Sequence, residues 1–237
     1  MQSKPLTNKE YWQNYKPGEI PAVPNLPPIE LYDTGRSLKV LDIGTGDGKA
    51  AEELSQTGSN RVYGIDIAEN IIATNLERET RVEYSLQDIT QATNFESSFF
   101  DLALSRFLLT NIPADGRGSA VAEIFRVLAP NGKLWILEPL VSDSYKERYQ
   151  LAQEFSQDPN SVVVFKQKDL AEKILTKSEM AKAFKANLFS RIVKHYTFEE
   201  IIEMLKPLTL VDSRIIEIKS PSGYTINTLE AVFQKQN

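Results

Sequence analysis

The chain has no cysteine, and among its 237 residues there is one histidine, His195. Without a thiol it forms no disulfide, offers no thiolate nucleophile and lacks the soft sulfur ligand of many zinc sites. A single imidazole leaves no His/Cys constellation, so no metal is expected. The absence of cysteine fits a reducing compartment. Also missing is an apolar run of membrane-span length, so no membrane partner is expected. The start, Met1-Gln2-Ser3-Lys4-Pro5-Leu6, has no apolar signal core, and a cytoplasmic home is expected. Positive charge is in deficit: 27 Lys and Arg stand against 32 Asp and Glu, a net charge of −5. Nucleic acid calls for the opposite balance, so no nucleic-acid partner is expected.

What is present reads as one globular domain, residues 1–237, with ample length for a buried core. Strand candidates at 38–43, 61–66, 82–86, 99–105 and 132–138 are short and rich in branched and aromatic residues. Helical patterns separate them: Ala68 to Leu76 is one, and Pro113 to Leu128 is another, with Val121, Ile124, Phe125 and Leu128 on one stripe. This alternation predicts a parallel sheet with helices on both faces. Ala129-Pro130-Asn131-Gly132 is a turn signal. Thr197-Phe198-Glu199-Glu200 has the spacing of a capping box and opens a helix. Segments 208–218 and 224–234, around Pro221-Ser222-Gly223, predict a closing hairpin.

Two segments fall outside that rhythm. Residues 1–36 precede the first core strand. They carry Tyr11, Trp12 and Tyr15 just after a second capping-box pattern at Thr7 to Glu10. This aromatic group either packs on the domain or forms a flap over a ligand. Residues 140–196 read as two or three helices, with Leu170, Ile174, Phe184, Leu188 and Ile192 as the apolar positions. They form either a lid insertion or a helical pad over the sheet.

The stretch Lys39-Val40-Leu41-Asp42-Ile43-Gly44-Thr45-Gly46-Asp47-Gly48 organises the rest. A buried strand runs into three glycines spaced by two, and a helix follows from about Lys49 to Gln56. Glycine serves where backbone takes positive φ or lies against a ligand. A dinucleotide loop wants a small third residue where Lys49 stands. A Walker loop wants glycine at Ile43 and a hydroxyl at Ala50. Asp42 and Asp47 suit a cation and would repel a pyrophosphate.

The D-x-G-x-G-x-G spacing resembles motif I of class I S-adenosylmethionine (SAM) methyltransferases of the small-molecule branch. The resemblance covers about Leu38 to Pro139. It implies an α/β, Rossmann-like, seven-stranded and mostly parallel sheet with an antiparallel C-terminal hairpin. It implies SAM as cofactor, with S-adenosylhomocysteine (SAH) as product. Asp42, Gly44, Thr45, Gly46 and Gly48 form the cofactor turn. Asp66 lies 22 residues after Gly44 and ends the second strand, where an acid accepts ribose hydroxyls; Ile67 follows it. Asp88 matches the acid that takes the adenine amino group, with Ile89 on the ring; a turn-forming Asp is the plain alternative. Ser105 and Arg106 match the end of motif IV, facing the methionine part, although Arg106 is also read as a salt-bridged surface residue. Many small-molecule members carry a histidine where this chain has Asn111, which either orients substrate or caps a helix. That leaves His195, whose ordinary pKa is near neutral, and Glu138 as candidate catalytic bases. Tyr11, Trp12, Tyr15 and Asn111 are the candidate substrate contacts.

The resemblance implies methyl transfer to an oxygen or nitrogen of a small, partly hydrophobic metabolite, in the branch of quinone-biosynthesis and natural-product enzymes. Two other readings stay open. One is an RNA or protein methyltransferase, disfavoured by the acidic balance and by Ser105-Arg106-Phe107-Leu108 standing in place of an Asn/Asp-Pro-Pro-Tyr motif. The other is a non-catalytic SAM-binding partner protein.

Overall fold

The structure is a computed structural model that describes residues 12–13, 26–57, 60–153, 156–165, 189–219 and 225–237. Five strands run parallel: β1 (Lys39–Ile43), β2 (Arg61–Asp66), β3 (Glu83–Leu86), β4 (Phe100–Arg106) and β5 (Leu128–Pro139). β1, β2 and β4 are buried along almost their whole length, as strands covered on both faces must be. Strands β8 (Thr209–Lys219) and β9 (Thr225–Gln234) return antiparallel, giving the order β3-β2-β1-β4-β5-β9-β8. The expected mixed seven-stranded sheet is therefore present.

Helices cover both faces. α1 (Lys49–Gln56) and α2 (Glu69–Leu76) give Ala51, Leu54 and Ile72 to a cluster that includes Val40, Val62 and Trp135. α3 (Ala114–Val127) and α5 (Phe198–Met204) give Val121, Ile124 and Ile201 to the opposite cluster, with Leu41, Ala103 and Ile136. The capping box of α5 forms as its sequence predicts: the Thr197 hydroxyl accepts from Glu200 N, and the Glu200 carboxylate accepts from Thr197 N.

Two expectations are corrected. The Ala129–Gly132 turn lies inside β5, which already starts at Leu128. Its turn chemistry survives as a kink. Asn131 has φ of 62°, the register with β4 shifts there, and a Cβ at position 132 would meet Ala129 O at 2.7 Å. The all-helical reading of 140–196 is also wrong in part. After α4 (Lys146–Ala152), β6 (Ser161–Phe165) pairs antiparallel with β7 (Phe189–Lys194) as a separate two-stranded sheet. Ser161-Val162-Val163-Val164-Phe165 is a β-branched run that favours strand, and Ile192 lies in β7. Leu170, Ile174, Phe184 and Leu188 lie outside the described residues, as do the turn at 221–223 and the capping pattern at 7–10.

Candidate active site

The sheet order reverses direction between β1 and β4, and the carboxyl ends of the parallel strands converge there. In such sheets that crevice is where ligands bind. Register aligns Ile43 with Ile65 and Ser105, Asp66 with Leu86, and Arg106 with Leu137. The glycine turn follows β1 at this edge, with Gly44, Gly46 and Gly48 at φ of 67°, 54° and 75°. Only glycine takes these angles without strain.

Asp42 is fully buried. Its Oδ2 accepts from the Thr45 hydroxyl at 2.8 Å and lies 3.4 Å from Arg106 Nη2. Asp42 Oδ1, Arg106 Nε and Ser105 Oγ are buried with no protein partner. Asp42 Oδ1 and Arg106 Nε, orphaned together at the ends of β1 and β4, mark a place where a polar ligand is expected to supply the missing bonds. An acceptor beside a donor fits the ammonium and carboxylate of an amino-acid tail.

Asp66 ends β2 with Oδ2 accepting from Gly46 N at 3.1 Å and Oδ1 from Ala68 N at 2.9 Å. Each oxygen retains acceptor capacity for a hydroxyl. Burial raises its pKa; the two backbone donors oppose this, and the nearby Asp42 charge adds to it. Two acids so close make a hollow that favours a cation. Asp88 forms the turn of its plain alternative, its Oδ1 accepting from Thr90 N and Thr90 Oγ1 at 2.9 and 2.7 Å. Oδ2 makes neither contact. Ile89 is buried in the core, and Ile67 is half-buried beside Asp66. Trp12 packs on Ala68 and Ile71 at the start of α2, next to Asp66. Tyr11 and Tyr15 lie outside the described residues.

The two candidate bases fare differently from expectation. Glu138 is fully buried under the turn Leu109–Asn111, where Oε1 accepts from Leu109 N at 2.8 Å and Oε2 from Thr110 N at 3.0 Å. Burial pushes its pKa up to about 8 against the pull of those donors. Both oxygens thus hold backbone, and no face is open to a substrate. His195 is buried too, with Nδ1 3.0 Å from the Tyr149 hydroxyl. That hydroxyl also accepts from Ser142 N. Burial, then Arg148 and Lys194, pull the imidazole pKa down to about 3. An imidazole so weakly basic is a poor match for proton abstraction near neutral pH. The two expected bases are thus both buried, Glu138 against the backbone of the Leu109–Asn111 turn and His195 against Tyr149. Asn111 donates to Phe107 O at 2.5 Å and so braces the turn after β4 rather than capping α3.

Some residues at this edge were not foreseen. Tyr196 donates through its hydroxyl to Leu109 O at 2.7 Å, and Thr110 Oγ1 donates to Lys194 O, tying the return strand β7 to the turn after β4. Asn75 donates to Gly46 O, Arg78 to Asp47 O and Tyr84 to Gly48 O. Asn75 did leave a signal: it is a polar residue on the buried stripe of α2, beside Ile71 and Ile72.

Residues 41–136 match the family described as "Methyltransferase domain". This part of the chain is similar to a methyltransferase domain. Around this domain the likeness thins. A phosphoethanolamine N-methyltransferase 2 of Caenorhabditis elegans is 34% identical over 102 residues, 41% of this chain and 23% of that protein. An 18S rRNA (guanine(1575)-N(7))-methyltransferase of Saccharomyces cerevisiae is 36% identical over 86 residues, 36% of this chain and 31% of that one. The chain thus spans under a third of the length of these two curated relatives. A solved SAM-dependent methyltransferase of Methanosarcina mazei superposes with a TM-score of 0.73 at 24% identity, over 89% of this chain and 98% of that one. The methyltransferase fold therefore extends well beyond the matched domain. Among the described residues no helix is long and apolar enough to cross a membrane.

Proposed function

We propose that this protein transfers a methyl group from SAM to a small, partly hydrophobic metabolite. The observation that carries the reading is the pair of acids at the strand edge. Asp66 presents a buried carboxylate for the ribose, and Asp42 Oδ1 stands unpaired beside the equally unpaired Arg106 Nε. When bound, SAM supplies an activated methyl group on a sulfonium. Asp42 and Arg106 hold its amino-acid tail, Asp66 its sugar, and Asp88 Oδ2 its base. The protein then has to align an acceptor with that methyl and keep water out, which can account for about 7–11 kcal/mol of barrier lowering. Neither buried candidate presents a free basic atom to an acceptor: Glu138 holds backbone through both oxygens, and His195 is buried with its pKa pulled down to about 3. The favoured acceptor is therefore a neutral amine, or an oxygen that arrives ionised.

A small acceptor is supported by the acidic balance of the chain. The yeast relative acts on RNA by name, and so keeps the RNA reading as the comparison arm of the test. Calorimetric titration with SAH is expected to show one site per chain. Tritiated methyl from SAM is then followed into a small-molecule extract and into bulk RNA. Absence of SAH binding removes the cofactor reading, and label in RNA alone removes the small-acceptor reading.

A further inference from the structure

The glycine turn is held from behind at three consecutive carbonyls. Asn75 Nδ2 lies 2.9 Å from Gly46 O, Arg78 Nη1 2.6 Å from Asp47 O and the Tyr84 hydroxyl 3.3 Å from Gly48 O. The donors come from α2, the residues just after it and β3, so the arrangement is not a by-product of one local turn. Asn75 is almost wholly buried, as is the Gly46 N–H to Asp66 bond. Gly46 is therefore held at its amide by Asp66 and at its carbonyl by Asn75. Rotation of any of the three peptides breaks a bond to one of these side chains, and at Gly46 the partner Asn75 is buried.

We propose that Asn75, Arg78 and Tyr84 act together as positioning residues. They hold the turn, before any ligand arrives, in the shape that receives the cofactor. The proposal rests on the SAM reading above and adds how its site is kept ready. Three glycines at positive φ have many other conformations open to them, and ordering them only on binding would weaken affinity. The clamp removes that ordering from the binding step. Its chemistry is matched to a cationic ligand as well. Arg78 brings a positive charge close to the turn, and Glu52 Oε1, 2.8 Å away, offsets it. Tyr84 also works as a wedge: a Cβ at Gly48 would meet its hydroxyl oxygen at 2.4 Å.

SAH binding by calorimetry, with amide exchange on the ligand-free proteins, tests this on full-length wild type, Asn75→Ala, Asn75→Asp and Arg78→Lys. Asn75→Ala is expected to weaken SAH binding about 5–10-fold, the loss of one buried hydrogen bond. Asn75→Asp sets a carboxylate against the Gly46 carbonyl and is expected to weaken it about 30-fold or more. Arg78→Lys keeps a donor and a charge and should stay within about threefold of wild type. In Asn75→Ala, exchange should speed up at residues 44–48 while β1, β2 and β4 keep their protection. The proposal is overturned if wild type binds SAH and both Asn75 variants bind within about twofold of it. It is equally overturned if exchange rises evenly through the sheet, the mark of a purely structural strut. A wild type that binds no SAH at all overturns the cofactor reading, and the clamp falls with it.

Discussion

Asp66 and Glu138 are both buried carboxylates that accept two backbone N–H bonds, yet they stand in different situations. Asp66 sits at an open strand end, where its remaining acceptor capacity faces the glycine turn. Replacing Asp66 by Ala is expected to cost about 3 kcal/mol of cofactor binding, roughly 100-fold in SAH affinity by calorimetry. Glu138 lies beneath the turn it braces, and its consequence is for stability. Its pKa rises from 4.5 in the open chain to about 8 when folded. The folded state therefore binds a proton that the unfolded state has released. Stability is highest below pH 4.5 for this group and falls as pH rises toward 8, by at most about 1.4 kcal/mol per pH unit. Glu138→Gln should flatten that slope in urea titrations between pH 5 and 8. It should also destabilise by about 1–3 kcal/mol, because its amide nitrogen faces a backbone N–H. A slope unchanged in the variant would show that Glu138 is ionised in the fold.

At the scale of elements, what the sequence reveals depends on how local the cause is. The glycine turn, the acid 22 residues on and the α5 capping box are read from neighbours along the chain, and all stand where they were placed. The β6–β7 pairing joins residues nearly thirty apart, and the periodic apolar pattern between them reads as helix. The β-branched run at 161–165 is a local signal for strand. Glu138 reads as a candidate base because strand tips carry function; only its contact with Leu109 and Thr110 reveals the brace. Tyr84 was invisible for the same reason, since its role arises where β2, β3 and the turn meet. A Cβ at Gly64 would meet the Tyr84 ring at 2.6 and 2.7 Å and Thr45 Oγ1 at 3.0 Å. Gly64→Ala is therefore expected to lower stability by about 1–3 kcal/mol through overpacking. The double variant Gly64→Ala/Tyr84→Leu should lose less than the sum of the single changes in denaturant titrations, because the clash is shared. Strict additivity would show that the strand shifts to make room.

Taken whole, the molecule gathers its candidate cofactor contacts from the ends of β1, β2 and β4, the middle of the sheet. Those strands hold the two main hydrophobic clusters together, one on each face. A ligand that bridges them binds the folded chain and has nothing equivalent to bind once the sheet comes apart. Linkage then makes binding a global stabilisation: at a ligand concentration 100 times Kd it amounts to about 2.7 kcal/mol. For a chain of this size that corresponds to a rise in Tm of about 5–10 °C. Thermal unfolding followed by far-UV circular dichroism should show this rise with SAH as one transition moving intact. Asp66→Ala should lose most of the rise while keeping a sharp transition of its own. If instead SAH splits the melt, so that the parallel sheet moves and the β8–β9 hairpin does not, then the hairpin is a separate folding unit. The cofactor edge would then not be coupled to the whole sheet.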